Sequence, residues 1–492
     1  MWNVGTRRQL FLDQRFIERS EGVRLRMNPP VQHPEPVLTA DRPWECFGIG
    51  AYNTAMLEAD GRFRLWYDAT ALGGGPAEGA RRLGYAESED GLTWTKPDLG
   101  LIEFQGSKAN NIVAPLLERQ SMQGATVLRD EAALEEERYK LWTKYRPTDD
   151  EMAAGVKPGL WAMHSPDGLR WRYYEGQPDH RGACDTQNML FVDDRLQCYV
   201  GYTRVSATQH RDEAADAVGQ PYRSVGRVTS TDFRHWTPLQ IVFEADGADT
   251  GMPLPEENES GRPCVDIYTS CAMKYPWAED VYLMLPAVYY HWGRKQFPAT
   301  LDVQLLTSRD GISWGRAGDR EPFLRQGFDG SSTSGMIYAN PWLIPVGDEL
   351  WLYYSGTARL HRNPRPGEDR EALARRTGIF RASLRRDGFV SADAGYGGGT
   401  LTTPLLTFEG DRLEVNCDGS AGGWLQAEVL GEDGLPLPGL SLAEADTVRG
   451  NSLHQPVTWR GGDLAPHAGT PVRLRFVMRG MKLYAFQFRD GG

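Results

Sequence analysis

The sequence predicts an all-β protein, a five-bladed β-propeller followed by a C-terminal β-sandwich. Three observations carry that prediction. A short turn pattern recurs five times at near-constant spacing, and beyond residue 400 the pattern stops while strand-like alternation continues. The aromatic content, with 15 Trp and 20 Tyr, suits pleated, half-buried strands. Repeats of this length are the signature of propellers and related arrays.

The pattern reads Ser88-Glu-Asp-Gly-Leu-Thr-Trp94, Ser165-Pro-Asp-Gly-Leu-Arg-Trp171, Ser230-Thr-Asp-Phe-Arg-His-Trp236 and Ser308-Arg-Asp-Gly-Ile-Ser-Trp314, with a degenerate copy at Ser383-Leu-Arg-Arg-Asp-Gly-Phe389. Each copy reads as a strand end, an Asp-Gly turn and an aromatic residue that opens the next strand. Two strands joined by a polar turn precede every copy: 53–58 and 63–68, 125–129 and 139–145, 188–192 and 196–203, 268–274 and 281–289, 336–345 and 350–355. Each unit is therefore a four-stranded meander, the composition of a propeller blade. Residues 1–40 form a lead-in, with a hairpin over 10–27 that either completes a blade or packs between domains. Residues 41–400 hold the five blades. Residues 401–492, with alternating stretches such as 424–430 and 472–477 between Gly and Pro turns, form the sandwich.

Bulk properties exclude several classes. A net charge of −12 argues against a nucleic-acid partner, whose backbone is bound mainly through Lys and Arg. No apolar run approaches the roughly 20 residues that cross a bilayer, so no membrane partner is expected. The opening residues have no apolar core of signal-peptide length, which makes cytoplasmic residence the expectation. The six cysteines (46, 184, 198, 264, 271 and 417) lack metal-ligand spacing.

In a blade the first strand starts near the axis. The loops that lead into it, and those joining the second and third strands, open on one face. The second-to-third connections are long here (70–81, 146–158, 205–223, 292–302 and 358–376), which marks that face as the functional one. Its strand ends supply Trp44, Glu45, Asn53 and Asp68 in blade one, then Gln123 and Lys144 in blade two. Blade three adds Asp185, Asn188 and Arg204, blade four adds Asp266, Tyr290, His291 and Asp302, and blade five adds Tyr338 and His361.

Cleavage of a glycosidic bond needs one protonated and one ionised carboxyl group. Asp185 and Asp266 head equivalent strands in adjacent blades and are the expected catalytic pair, with Glu45 as a third carboxylate. Arg204 and Lys144 are suited to a substrate carboxylate or hydroxyls, and Trp44 or Tyr290 to stacking on a sugar ring. The other residues named are expected to bind substrate. An Asp at a strand head is equally a turn or cap residue, and His291 and His361 equally serve as structural hydrogen-bonding groups.

Five meander blades with Ser-x-Asp-Gly-x-x-Trp turns, followed by a sandwich, resemble the five-bladed glycoside hydrolases of families 32, 43, 68 and 117. The two-domain layout is most similar to family 32 and covers nearly the whole chain as architecture. The resemblance implies hydrolysis, or sometimes transfer, of glycosides at the propeller axis by three acidic residues. The family 32 nucleophile motif Trp-Met-Asn-Asp-Pro-Asn-Gly does not occur here. Arg129-Asp130-Glu131 echoes that family's Arg-Asp-Pro at a first-to-second turn, and Glu45-Cys46 precedes blade one, out of the family's order. Fructosidase activity is therefore not implied. Family 117 is similar in its proposed acid, a His, which points to His291 and His361.

The expected function is exo-acting hydrolysis of an oligosaccharide or uncommon glycoside, with a carbohydrate as partner. The alternatives are a non-catalytic carbohydrate-binding propeller, and a phosphorylase or lyase, with Arg204, Lys144, His291 and His361 as anion-binding groups. No cofactor is called for, although the axis is also where a structural divalent cation would sit.

Overall fold

The computed structural model describes residues 1–70, 81–114, 121–145, 148–155, 159–175, 186–206, 223–250, 265–291, 299–361, 369, 372 and 376–491. Five antiparallel blades surround an axis, and a two-sheet sandwich follows. Blade one contains Thr54–Leu57, Phe63–Thr70 and Arg81–Ser88, and its fourth position is filled by single bridges from Thr95 to Glu87 and from Ile112 to Gly84. Blade two contains Ser121–Arg129, Tyr139–Tyr145, Gly159–Ser165 and Arg172–Tyr173. Blade three contains Met189–Asp193, Cys198–Ser206, Arg223–Ser230 and Gln240–Phe243.

The fourth blade departs from the expected continuous strands over 268–274 and 281–289. In an axial half, Ala287–His291 pairs with Val265–Ile267 on one side and with Ala299–Val303 on the other. An outer half joins Ala272–Lys274, Tyr282–Met284, Leu306–Ser308 and Gly315–Arg316. Between the halves Cys271 takes a positive φ of 41°, and Pro286 has no N–H to give to a ladder.

The repeat has a physical function. In the turns at Ser88, Ser165 and Ser308, the serine Oγ accepts from the glycine N–H at 2.9 Å, and the Asp Oδ1 accepts two backbone N–H groups at 2.7–2.8 Å. The glycines sit at φ near +70°, where a Cβ is strained. Their carbonyls latch the preceding blade, and those of Gly91 and Gly168 also accept from the turn's own Trp94 and Trp171. Trp66 Nε1 donates to Gly168 O at 2.6 Å, Tyr202 Oη to Gly311 O at 2.5 Å, and Tyr353 Oη to Gly91 O at 2.6 Å. The degenerate copy is used differently. Asp387 faces the domain seam, where it accepts from Arg8 Nη1 and Tyr275 Oη, both at 2.6 Å.

The N-terminal segment does not form a hairpin over 10–27. Its strands are shared between both domains. Arg19–Glu21 and Val23–Met27 join different sandwich sheets, pairing with Gly399–Thr402 and Val390–Ala394, and Gln9–Leu10 pairs with Met481–Arg489. Val31–Gln32 and Leu38–Thr39 form the outer edge of blade five against Thr377–Arg385, beside Met336–Val346 and Glu349–Thr357. The sandwich core contains Phe11, Phe16, Leu413, Phe476, Phe486 and Phe488, all buried. Among the described residues no helix is long and apolar enough to cross a membrane.

Candidate active site

On the long-loop face a cavity of about 310 Å³ opens at the axis. Blade one lines it with Tyr52, Thr70 and Arg81, and blades two, four and five with Gln123, Tyr268, Tyr338 and His361. The tyrosines meet across blades. Tyr52 lies edge-on to Tyr338 with centroids 5.8 Å apart, and Tyr268 stacks on Tyr289 at 5.4 Å. His361 links that stack, with Nε2 2.8 Å from Tyr268 Oη and Nδ1 3.0 Å from Tyr289 Oη. An imidazole with both nitrogens so engaged is fixed in orientation.

Asp266 lies beneath this stack, fully buried, paired in the sheet with Tyr289. Its Oδ2 accepts from Arg223 Nη1 at 3.0 Å and lies 3.0 Å from His291 Nε2. Burial pushes its pKa up, but Arg223, His291 and Arg204 outweigh burial and hold it below the ordinary carboxylate value. Its Oδ1 is buried with no hydrogen-bond partner among the described residues. That oxygen is the free lone pair a base or nucleophile requires. Arg204 lies 4.3 Å above the Tyr268 ring and donates from Nη2 to the Tyr268 carbonyl at 2.8 Å. Arg223 lies 5.0 Å from the same ring.

A second buried carboxyl group belongs to blade one. Asp68 Oδ2 accepts from Arg81 Nη1 at 2.6 Å, directly behind Gly50 and Thr70. Here burial outweighs Arg81 and raises the carboxyl pKa. The two carboxyls are thus driven in opposite directions.

Several expected site residues stand elsewhere. Asp185 and Cys184 lie outside the described residues. Glu45 is buried away from the cavity wall, accepting from Lys96 Nζ at 2.7 Å, from Tyr67 Oη, and from the backbone of Asp41 and Arg42. Trp44 donates to Asn111 Oδ1 at 2.7 Å and packs on Phe104, so neither ring face is offered to a sugar. Asn53 and Asn188 tie strands together through Ser355 and Thr203, both at 2.7 Å. Tyr290 and Asp302 lie on the opposite face of the fourth-blade sheet from Tyr289 and His291, because successive strand residues alternate. There burial lifts the Asp302 pKa to about 7. Lys144 reaches Gln123 at 3.5 Å.

The structure therefore brings together Asp68, Gln123, Arg204, Asp266, His291, Tyr338 and His361. Tyr268, at the head of blade four, stands with them, and Arg81, Arg223, Tyr52 and Tyr289 join them without a signal in the strand-head pattern. Arg81 and Arg223 open third strands, a position that propeller geometry already aims at the axis. Among the described residues, no three His, Cys, Asp or Glu side chains gather as a metal site would require.

No family model matches this chain, and no curated protein matches it. Solved structures do. The chain is similar to an N-acetylgalactosamine deacetylase from F. plautii in complex with blood group B trisaccharide, at 16% identity over 75% of this chain and 97% of that one, with a TM-score of 0.45. It is similar to a β-1,2-mannobiose phosphorylase from Listeria innocua, at 14% identity over 73% and 97%, with a TM-score of 0.45. It is also similar to a glycosyl hydrolase from Bacteroides ovatus, at 15% identity over 79% and 96%, with a TM-score of 0.42.

Proposed function

We propose that the protein is a glycoside hydrolase that admits the end of an oligosaccharide, or an uncommon glycoside, to the axial cavity and cleaves it with Asp266 and Asp68. One observation supports this above the others: two buried carboxyls stand behind the cavity wall, Asp68 against its Gly50 and Arg81 and Asp266 on the Arg223 that packs against its Tyr268, and they are driven to opposite acidities. Such a split assigns acid and base. Asp266, held ionised with Oδ1 free, is the base or nucleophile. Asp68, with its pKa raised, is the acid. The tyrosine walls take the apolar faces of a sugar ring, and Arg81 and Arg223 meet its hydroxyls.

Phosphorolysis is the second reading, favoured by the convergence of Arg204, Arg223 and His291 around Asp266. A panel of aryl-glycosides and natural oligosaccharides, with and without inorganic phosphate, separates the two. Hydrolysis predicts turnover indifferent to phosphate, lost in Asp266→Asn and reduced in Asp68→Asn. Asp185→Asn, carried on the sequence expectation, tests the remaining carboxylate. Turnover that persists unchanged in both Asp266→Asn and Asp68→Asn overturns the assignment.

A further inference from the structure

On the face opposite the axial cavity, a groove of about 690 Å³ runs along the seam between propeller and sandwich. Its walls carry Arg7, Arg8, Arg195, Lys274, Arg386 and Arg489, against two acidic residues, Asp194 and Glu279. A second hollow of about 260 Å³ shares Arg7, Arg8, Arg195 and Glu279 with the first and adds Arg15 together with its ion-pair partner Asp280, so the two form one track. In a chain of net charge −12, such a cationic strip is a local construction, not a reflection of bulk composition.

Some of these charges are spent internally. Arg7 pairs with Glu279 at 2.7 Å, Lys274 with Asp194 at 2.5 Å and Arg8 with Asp387 at 2.6 Å. Arg195 and Arg386 are different. Arg195 Nη1 is held by the Arg309 carbonyl and Arg386 Nη2 by the Gly347 carbonyl, both at 2.9 Å, and neither forms an ion pair with a carboxylate among the described residues. Arg386 Nε is buried with no acceptor among the described residues. A guanidinium oriented by a carbonyl keeps its charge and most of its donors for a ligand.

Indole rings accompany the cations. The Arg386 guanidinium lies 5.8 Å from the Trp277 ring centroid. Arg15 lies 4.8 Å over Trp2, whose side chain is exposed. An aromatic face beside a planar cation suits a sugar ring that bears an anionic group.

We propose that this seam is a second saccharide site, which holds a segment of an acidic polysaccharide with its carboxylates or sulfates on Arg195 and Arg386 and its rings against Trp277. The choice of a polysaccharide rests on the glycosidase reading of the axial cavity. A nucleic acid carries a charge every ~1.7 Å of helix axis, so the protein's net charge of −12 opposes it more strongly than a uronic-acid polymer with one charge per ring. A polymer held at this distance from the axis raises the local concentration of chain ends at the cavity without taking part in the chemistry.

Binding of the full chain to polygalacturonate, dextran sulfate, uncharged dextran and a single-stranded oligonucleotide, read by affinity electrophoresis, tests this. Retention by an anionic polysaccharide, absent with dextran and weakened by added salt, is the expected result. Polygalacturonate against dextran sulfate identifies carboxylate or sulfate as the preferred anion. The double variant Arg195→Glu with Arg386→Glu should bind at least about tenfold more weakly, and the milder Arg195→Gln with Arg386→Gln should shift in the same direction with an unchanged melting temperature. Aryl-glycoside turnover should be unchanged in both. Asp266→Asn should keep full polysaccharide retention, so a failure of the catalytic reading shows in turnover while a failure here shows in retention. Equal retention by uncharged dextran, indifference to both double variants, or tighter binding of the oligonucleotide than of either polysaccharide would overturn the proposal.

Discussion

Asp266 and His291 meet through a 3.0 Å contact between Oδ2 and Nε2, and Arg223 reaches the same oxygen at the same distance. Two partners on one oxygen leave the other, buried oxygen unpartnered among the described residues.

Asp266→Asn removes the ionised lone pair while keeping the shape. Turnover should fall by about 10²–10⁴. The substitution also leaves Arg223 beside a neutral amide, and loss of a buried ionic partner costs about 3 kcal/mol or more. The folded pKa lies below the unfolded value of 3.8, so the stabilisation is complete above that value and disappears as pH falls through the lower, folded one. Acid denaturation of the variant, followed by circular dichroism, should therefore depend less steeply on pH below 4 than that of the wild type.

Asp302 predicts the opposite trend. Its folded pKa, pushed up to about 7, exceeds the unfolded 3.8, so the folded state holds the proton more tightly. Stability should decline as pH rises from about 4 to about 7. Asp302→Asn cannot ionise and should flatten that decline, gaining stability relative to the wild type at pH 8. Urea midpoints across the pH range measure it, and a parallel decline in the variant would remove Asp302 as the cause.

Adjacent tyrosines give a test of register. Tyr289 stacks on Tyr268 and holds His361, two residues of the cavity wall, whereas Tyr290 lies on the other side of the strand. Tyr289→Phe should raise KM or lower kcat by up to about tenfold, the worth of one hydrogen bond. Tyr290→Phe should leave both unchanged. Steady-state kinetics on one substrate decide between them.

Phe233 occupies the glycine position of the third repeat with φ at +64°. Restoring the repeat by Phe233→Gly relieves backbone strain of about 1 kcal/mol but empties a site packed against Trp142, Tyr199 and Trp236. Large-to-small changes in such a core cost about 3–5 kcal/mol. Thermal denaturation should show a lower midpoint for the variant, despite its closer match to the repeat.

The propeller was readable because its turns repeat a local chemistry: a serine and an aspartate that bind backbone N–H groups look the same in the first four blades. Of the strand-head residues, Gln123 and Tyr338 line the cavity, and Asp266 is buried on the Arg223 that packs against Tyr268. The failures have a different origin. Choosing Tyr290 over Tyr289 was a one-residue slip in an interrupted strand, where no unbroken alternation fixes the face. Glu45 and Trp44 were placed at the rim by position in the chain, yet Lys96 and Asn111, 51 and 67 residues away, take them into the wall of blade one. Partners that distant leave no periodic trace. The same holds for residues 19–27, whose two short strands join opposite sheets of a sandwich some 370 residues downstream.

That N-terminal path governs how the chain can assemble. Residues 9–39, made well before their partners, include the outer edge of the last blade and strands of both sandwich sheets. They find their partners only after residues 377–385 and 481–489 have been made. Synthesis therefore carries an unpaired leading segment past four finished blades. Closure of the ring and completion of the sandwich are joined in one late event of very high sequence separation, and folding should be slow for that reason. Once seated, the same segment clasps both domains, so fraying at the N-terminus loosens propeller and sandwich together.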